Sequence, residues 1–297
     1  MTTRQGLRSA TTDDVPAIAR IAAASDEPIE TPGIPGSPYA EHLLARGTVV
    51  VAETDGVVVG YAAAVPIGTW RHVTDLFVHP AARGRGWGRA LLADILAGAP
   101  AATTFASDDP RALPVYVRAG LRALWPNLYL EGRAARLVDP GLVVRPVAAT
   151  EAAATELAFG GIDRSADHAY WGTRRDAVPF LVLDGDTPVG AGCAVHRRGR
   201  PGRWLPHLAI APGADAVAVA VAAVHATAAG GPASHAGAGT DARGSSAHAT
   251  SVCVPGPHPA LPALLDAGFK VVDRDIFLAT SAAFVDPERL LPDPSLL

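Results

Sequence analysis

The apolar positions of the first half of the chain change period several times, which predicts alternating strands and helices. Two apolar runs, at residues 48–53 and 57–65, flank Thr54-Asp55-Gly56, a sequence typical of a β-hairpin turn. The other predicted elements are strands at 7–10, 70–78, 103–106 and 124–130, and helices at 12–24, 89–97 and 111–119. This order predicts an α+β domain with a mixed, mostly antiparallel sheet flanked by helices.

The second half of the chain repeats the same order of segments. The matched pairs are residues 55–60 with 185–190, 76–80 with 208–212, and 112–121 with 260–269, at offsets of 130, 132 and 148 residues. Three matches in the same order indicate a duplication. We expect two tandem domains, 1–137 and 138–297, joined near Asp139-Pro140-Gly141. The larger last offset predicts a long loop within 228–251.

A glycine-rich turn follows the strand predicted at 70–78, and a helix is predicted to begin inside it. Residues 83–92 read RGRGWGRALL, so glycine occupies alternate positions 84, 86 and 88. Glycines without Cβ atoms let a ligand approach backbone N–H groups at the positive end of a helix, which favours a pyrophosphate. The charge-assisted donors at its rim would be Arg83, Arg85 and Arg89.

Other phosphate-binding loops fit this turn less well. The dinucleotide fingerprint requires G-x-G-x-x-G after the first strand, and the P-loop requires a lysine that the turn lacks. A flexible arginine-rich surface turn is the alternative without chemistry.

The strand, turn and helix together resemble the GNAT superfamily of N-acetyltransferases, whose signature is Arg or Gln followed by G-x-G-x-G or G-x-G-x-A. The resemblance implies that the turn holds the pyrophosphate of acetyl-CoA as cosubstrate, and that the fourth strand offers backbone groups to the pantetheine arm. Trp87 stands where an aliphatic residue is usual and is expected to pack against the sheet. The implied cofactor-binding residues are Phe77, Val78, Arg83, Gly84, Arg85, Gly86, Trp87, Gly88, Arg89, Ser107 and Asp108.

A second match to this superfamily covers residues 108–121, where relatives read N-x-x-A-x-x-x-Y-x-x-x-G-F. It implies that Tyr116 protonates the departing thiolate of coenzyme A, a role that suits a phenol with an ordinary pKa of ~10. The alternative is a core tyrosine on an apolar face with Leu113 and Val117. Asp108 replaces the asparagine of the family, and Ser107 is the candidate substitute.

The general base is the least determined part of this interpretation. An amine must lose a proton before it attacks a thioester. Thr74 stands where many relatives have glutamate, so Asp75 is the candidate base, although strand alternation predicts that these two side chains face opposite sides of the sheet. Glu53, His72 and a water molecule are the alternatives.

The second copy is predicted to have lost this chemistry. Its turn reads GADAV at 213–217, without the glycine triplet or arginine, and Leu264 stands at the position of Tyr116. We therefore expect a degenerate domain, kept for packing, for dimerisation or as a wall of the substrate cleft. The four histidines at 225, 235, 248 and 258 have no metal-ligand spacing, so no metal is expected.

The composition of the chain limits the classes of binding partner and the cell compartment that we expect. A net charge of -4, divided evenly between the halves, disfavours nucleic-acid binding, and an acidic, proline-rich stretch at 25–39 suits a cationic amine. Two cysteines, no leader sequence and no long apolar run indicate a cytoplasmic protein without a membrane span.

Tandem relatives include mycothiol synthases and bleomycin-type antibiotic acetyltransferases. The predicted function is an acyl-CoA-dependent N-acyltransferase for a small-molecule amine, with antibiotic resistance as the role that these relatives imply. The alternative is a non-catalytic acyl-CoA sensor.

Overall fold

The computed structural model describes residues 5–25, 38–107, 109–197, 202–229 and 249–297. The chain divides into two units: unit 1 contains Met1–Leu124, Phe277–Ala282 and Leu296, and unit 2 contains Trp125–Ile276, Ala283–Ser295 and Leu297. The predicted acidic stretch at 26–37 and most of the predicted loop, 230–248, lie outside the described residues. No helix in the described part of the chain is long and apolar enough to cross a lipid bilayer.

Unit 1 is a sheet with helices packed against it. Its strands are β1 (Gln5–Ser9), β2 (Thr48–Thr54), β3 (Val57–Ile67), β4 (Trp70–Val78) and β5 (Ala102–Ser107). Its helices are α1 (Val15–Ala23), α2 (Pro38–Arg46), α3 (Trp87–Leu96) and α4 (Ala112–Arg118). The strands pair in the order β1-β2-β3-β4-β5, antiparallel except for the parallel pair β4-β5.

Local chemistry accounts for the elements that carry the site. Asp55 and Gly56 both adopt positive φ, 51° and 79°, as a tight hairpin turn requires, and Thr54 pairs with Val57 across it. Helix α3 buries Leu91, Leu92 and Ile95, which hold it against β2, β3 and β4. The predicted elements of the first copy are therefore confirmed, whereas α2 was not predicted.

Unit 2 has the same layered plan. Its strands are β6 (Arg122–Gly132), β7 (Val143–Pro146), β8 (Val178–Asp184), β9 (Thr187–His196), β10 (Arg203–Ile210), β11 (Thr250–Pro255), β12 (Lys270–Ala279) and the short β13 (Leu290–Leu291). Of β6 and β12, unit 2 contains the residues from Trp125 to Gly132 and from Lys270 to Ile276. Its helices are α5 (Ala149–Gly160), α6 (Ser165–Gly172), α7 (Ala216–Ala228) and α8 (Leu261–Asp266). The order β7-β8-β9-β10-β11-β6 repeats that of unit 1, again with one parallel pair, β10-β11.

The last strand of each unit comes from the other sequence repeat. In unit 2, β6 pairs antiparallel with β11 from Asn127 to Gly132. In unit 1, the end of β12 lies next to β5, where the Thr280 N–H donates to the Ala102 carbonyl at 3.0 Å and Phe277 contacts Phe105. The predicted fold class, two tandem α+β units with mostly antiparallel sheets, is confirmed; the division at 137/138 stays a prediction about the sequence repeat.

Candidate active site

The candidate site of unit 1 lies where two parallel strands part. β4 pairs with β5 only from Arg71 to Val73, whereas β3 follows β4 as far as Val78. In the register of the described strands, the edge of β4 from Leu76 to Val78 has no strand partner on the β5 side. An opening with unpaired backbone groups on one wall can accept an extended ligand that carries its own amides.

The glycine turn closes one end of this opening. Gly84 and Gly86 adopt positive φ, 78° and 86°, and a Cβ atom added at either glycine would meet nothing within 4 Å, so open space lies in front of both. The first helical hydrogen bond of α3 joins the Ala90 N–H to the Gly86 carbonyl at 3.1 Å. The N–H groups of Trp87, Gly88 and Arg89, in the first turn of α3, therefore have no intrahelical acceptors and are available to an anion.

A cavity of about 230 Å³ joins the turn to β4, β5 and α4. The predicted residues that line it are Phe77, Val78, Arg83, Gly84, Gly86, Trp87, Gly88, Ser107 and Tyr116. Arg85 and Arg89 are exposed and are not part of the lining, and Asp108 lies outside the described residues. Trp87 is half-buried and belongs to the cavity lining, and its expected packing against the sheet stays a prediction. The structure thus brings together predicted residues that are up to 39 positions apart, from Phe77 to Tyr116.

Arg83 is held in place by its own contacts. Its Nε donates to the Val78 carbonyl at 3.0 Å, and a terminal nitrogen donates to the Ser25 hydroxyl at 3.3 Å. These bonds direct the guanidinium along the cavity wall instead of into solvent. The Arg83 guanidinium is therefore held by two contacts at the cavity, whereas Arg85 is exposed on the same turn.

Sequence reasoning missed an ion pair in the cavity lining. Arg111 donates through Nε to both carboxylate oxygens of Asp109, at 2.9 and 3.0 Å. The hydrogen bond from Arg111 lowers the pKa of Asp109, so this carboxylate stays ionised inside a predicted anion site. An incoming phosphate would compete with Asp109 for Arg111. No pattern in the sequence distinguishes this pair from an ordinary polar loop.

Tyr116 is buried and lines the cavity, whereas its two proposed core neighbours are exposed. Leu113 has 36% and Val117 49% of its surface accessible, so they do not form an apolar core face with Tyr116. Burial of Tyr116 in the cavity wall, without Leu113 and Val117 around it, favours the acid role over the packing role.

Asp75 lies beside the site, outside its lining. A β-bulge at Thr74, between the pairs Ala63–Asp75 and Ala64–Val73, breaks the strand alternation, so the predicted opposite orientation does not hold. The Thr74 hydroxyl donates to the Asp75 carboxylate at 3.1 Å, and Tyr39 of α2 donates at 2.9 Å. Burial raises the pKa of Asp75 to about 6, against the opposing effect of these two donors.

The weaker base candidates are occupied elsewhere. The carboxylate of Glu53 accepts from Arg8 at 2.9 Å at the far side of β2, and His72 is buried with Nδ1 3.0 Å from the Thr103 hydroxyl. Neither residue lines the cavity. Asp75 directly precedes the unpaired edge of β4 and stays the candidate base.

The matching opening in unit 2 is filled. β10 and β11 pair from Arg203 to Leu205 and then part, as β4 and β5 do. Beyond that point β13 pairs with β10 through Leu208–Leu291 and Ala209–Leu290. By the offset of 132 residues, Leu208 and Ala209 correspond to Leu76 and Phe77. A strand of the chain itself therefore lies where unit 1 has an open edge.

In unit 2, the N-terminus of α7 is capped by a carboxylate of the chain itself. The Asp215 carboxylate accepts from the N–H groups of Val217 and Ala218, both at 3.0 Å. Leu264, at the position of Tyr116, is fully buried in the core of unit 2. These observations support the predicted loss of the cofactor site in the second copy.

Comparison with known proteins agrees with this geometry. Residues 45–120 match the family model described as an acetyltransferase (GNAT) domain. A mycothiol acetyltransferase of Nocardia farcinica is 40% identical over 111 residues, which are 35% of this chain and 34% of that protein. The chain thus spans about a third of the length of the curated relative it matches.

Solved structures with the same fold cover nearly the whole chain. A tandem GNAT protein from the clavulanic acid biosynthesis pathway aligns over 95% of this chain and 100% of its own, with a TM-score of 0.60 and 16% identity. A GCN5-related N-acetyltransferase from Sphaerobacter thermophilus aligns over 99% and 98%, with a TM-score of 0.54 and 18% identity. One from Anabaena variabilis aligns over 93% and 72%, with a TM-score of 0.61 and 14% identity. Residues 45–120, which contain the glycine turn, thus match an acetyltransferase (GNAT) domain, and the solved structures show that the chain has the fold of tandem GNAT proteins.

Proposed function

We propose that unit 1 is an acyl-CoA-dependent N-acyltransferase that transfers acetyl from acetyl-CoA to the amine of a small molecule. One observation carries the proposal: a single cavity joins the N-terminus of α3, the unpaired edge of β4 and the buried Tyr116. These three features suit the pyrophosphate, the amide-bearing arm and the thiol end of the same cosubstrate.

The binding step follows from the unpaired donors. The N–H groups at the start of α3 and the Arg83 guanidinium supply hydrogen bonds and positive charge for the pyrophosphate. The backbone of Phe77 and Val78 can pair with the pantetheine amides in the manner of an added strand. The thioester would then lie toward the mid-part of β4, within the site bounded by Tyr116.

The chemical step is a direct attack. The neutral amine forms a C–N bond with the thioester carbonyl carbon, the C–S bond breaks, and the Tyr116 hydroxyl gives its proton to the departing sulfur. The nitrogen loses its extra proton to water or to Asp75. Because Asp75 is buried and does not line the cavity, a water molecule would have to connect it to the amine.

Thiol release from acetyl-CoA is the test. The intact chain is incubated with acetyl-CoA and a panel of amines in which aminoglycoside-type and amino-sugar compounds stand beside simple alkyl amines. The Gly86→Val variant is the matched control, because its side chain would enter the phosphate site. Release that depends on an amine and is absent in the control supports the enzyme.

The second candidate is a non-catalytic acyl-CoA sensor. It predicts that acetyl-CoA binds, that Gly86→Val prevents binding, and that no amine in the panel raises thiol release above the rate with acetyl-CoA alone. The presence of Tyr116 in the cavity favours the enzyme, because a sensor needs no proton donor beside the thiol.

A further inference from the structure

Unit 2 contains a buried cluster of metal-ligand side chains that the proposed reaction does not use. Glu156 of α5, His168 of α6 and His207 of β10 bring one carboxylate and two imidazoles together, with their ligand atoms all within 4.8 Å of one another. The His168 Nε2 lies 2.6 Å from one Glu156 oxygen, and the His207 Nε2 lies 3.0 Å from both. Three separate elements thus direct their donor atoms at one point.

The rings are held in place by aromatic packing. Trp171 stacks on His207 with a centroid distance of 4.5 Å and an interplanar angle of 18°. Its ring meets His168 edge-on at 5.2 Å, and its indole N–H donates to Asp293 at 2.9 Å. A preorganised ligand set of this kind loses little conformational entropy when an ion binds.

The cluster is enclosed by the protein. Glu156, His168 and His207 are all buried, so an ion bound among them would be shielded from solvent. Asp167 is a buried carboxylate on the same helix as His168, and it is paired with Arg164 at 2.6 Å. Buried carboxylates are stable when a cation accompanies them, and an ion bound at the cluster would supply one to Glu156.

We propose that Glu156, His168 and His207 form a structural site for a divalent transition-metal ion of the zinc type. Two imidazoles and one carboxylate are a common zinc ligand set, with bond lengths of about 2.0–2.2 Å. Ligand atoms around such an ion lie roughly 3.3 Å apart, so the present contacts of 2.6 and 3.0 Å would need to widen by about 0.7 and 0.3 Å. Each imidazole then binds through Nε2 and carries its proton on Nδ1. In the described part of the chain, neither Nδ1 has a hydrogen-bond partner that would oppose this tautomer.

The position of the cluster connects it to the duplication. His207 corresponds to Asp75 at the offset of 132 residues, and His168 lies on the second helix of its repeat as Tyr39 does. In unit 1 these positions hold a carboxylate and a phenol that hydrogen-bond to each other. The second copy therefore places metal-ligand chemistry where the first places a candidate base and its donor.

The test measures metal content and ligand type in the intact, tag-free chain. The protein is stripped with a chelator, reloaded with Zn²⁺ and analysed by elemental mass spectrometry, and a parallel sample is titrated with Co²⁺ and followed by visible absorption. We expect about one equivalent of metal per chain and intense Co²⁺ d–d bands of a low-coordinate site. Glu156→Gln and His207→Gln should each reduce uptake at least tenfold at limiting metal.

Two controls separate this site from other histidines. His258→Gln changes another buried histidine of unit 2 and should leave uptake unchanged. The double change His235→Gln with His248→Gln addresses the glycine- and histidine-rich segment and should also have no effect. Circular dichroism and thermal unfolding report whether each variant is folded.

Wild-type chain that takes up less than about a tenth of an equivalent would overturn the proposal. Uptake that survives Glu156→Gln and His207→Gln, or that disappears with His235 and His248, would overturn it as well. If the ligand variants do not fold, the Co²⁺ spectrum of the wild type decides, because bands of a six-coordinate aqueous ion would exclude the site. None of these results depends on the activity of unit 1.

Discussion

Replacement of Tyr116 by phenylalanine separates the proton-donor role from a packing role. The change removes one hydroxyl and keeps the ring, and Tyr116 is buried while it lines the cavity. If the hydroxyl protonates the departing thiolate, kcat should fall ~10²- to 10⁴-fold, which is about 3–5 kcal/mol in the activation barrier. Binding of acetyl-CoA should change little, because the phosphate and pantetheine contacts lie elsewhere.

A packing role predicts the opposite pattern. Loss of one buried hydroxyl shifts the free energy of unfolding by about 1 kcal/mol and leaves turnover nearly intact. Tyr61→Phe is the matched control: Tyr61 is equally buried in β3, its ring packs against Phe77 at 5.6 Å, and it does not line the cavity. It should reproduce any change in stability without the loss of kcat.

The assay is thiol release under single-turnover conditions with an amine identified from the panel, together with thermal unfolding of all three proteins. Single-turnover kinetics are needed because slow product release could hide a slower chemical step. Turnover of Tyr116→Phe within about threefold of the parent would remove Tyr116 from the mechanism and strengthen the sensor alternative.

Three further predictions follow from the same geometry. Gly86→Val should abolish acetyl-CoA binding in calorimetry, because its side chain would enter the open space in front of the turn, and should cost about 1–3 kcal/mol of stability, because valine is strained at a φ of 86°. Retained affinity in a folded variant would make the turn a surface loop. Asp75→Asn should gain about 3 kcal/mol of unfolding free energy relative to the parent between pH 4 and pH 7, because a folded pKa of about 6 means that ionisation of Asp75 destabilises the parent as the pH rises. If Asp75 is the base, kcat/KM of the parent alone should rise through that pKa. A stability difference and a kcat/KM that do not change with pH would refute the burial effect. Calorimetry should find about one acetyl-CoA site per chain, and two sites of similar affinity would contradict the loss of the site in unit 2. Asp215→Ala should cost about 1 kcal/mol of stability without creating a second site, because β13 still fills the opening.

Much of unit 1 could be predicted because its signals are local. The Asp55-Gly56 turn requires positive φ, and the apolar runs beside it have strand period, so the hairpin follows from neighbouring residues. The glycine turn is likewise short and continuous in sequence. The cavity lining confirmed that Phe77, Arg83 and Tyr116 lie around one space, although their chemical roles stay predictions.

Features that depend on distant residues could not be predicted. β13 has two residues and no periodicity, yet it occupies the opening of β10 because Leu290 and Leu291 pair there. The cluster of Glu156, His168 and His207 has sequence spacings of 12 and 39 residues, which match no metal motif. The sequence pattern directed attention to the histidines at 225, 235, 248 and 258 instead. The spacing of metal ligands along one helix can be read from a sequence, whereas the convergence of side chains from three separate elements cannot.

The two copies together explain why one chain would keep a degenerate domain. In unit 1, an open strand edge and an uncapped helix N-terminus leave backbone groups unsatisfied, and unsatisfied buried groups cost stability unless a ligand or water satisfies them. In unit 2, β13 satisfies the strand edge and Asp215 satisfies the helix. A copy released from cofactor binding can therefore satisfy more of its own backbone groups, whereas a copy that binds a cofactor must leave these groups available to it. On this argument the second copy lost its chemistry through gains in internal hydrogen bonding, and emptying its opening by removal of residues 289–291 should destabilise unit 2 without restoring a cofactor site.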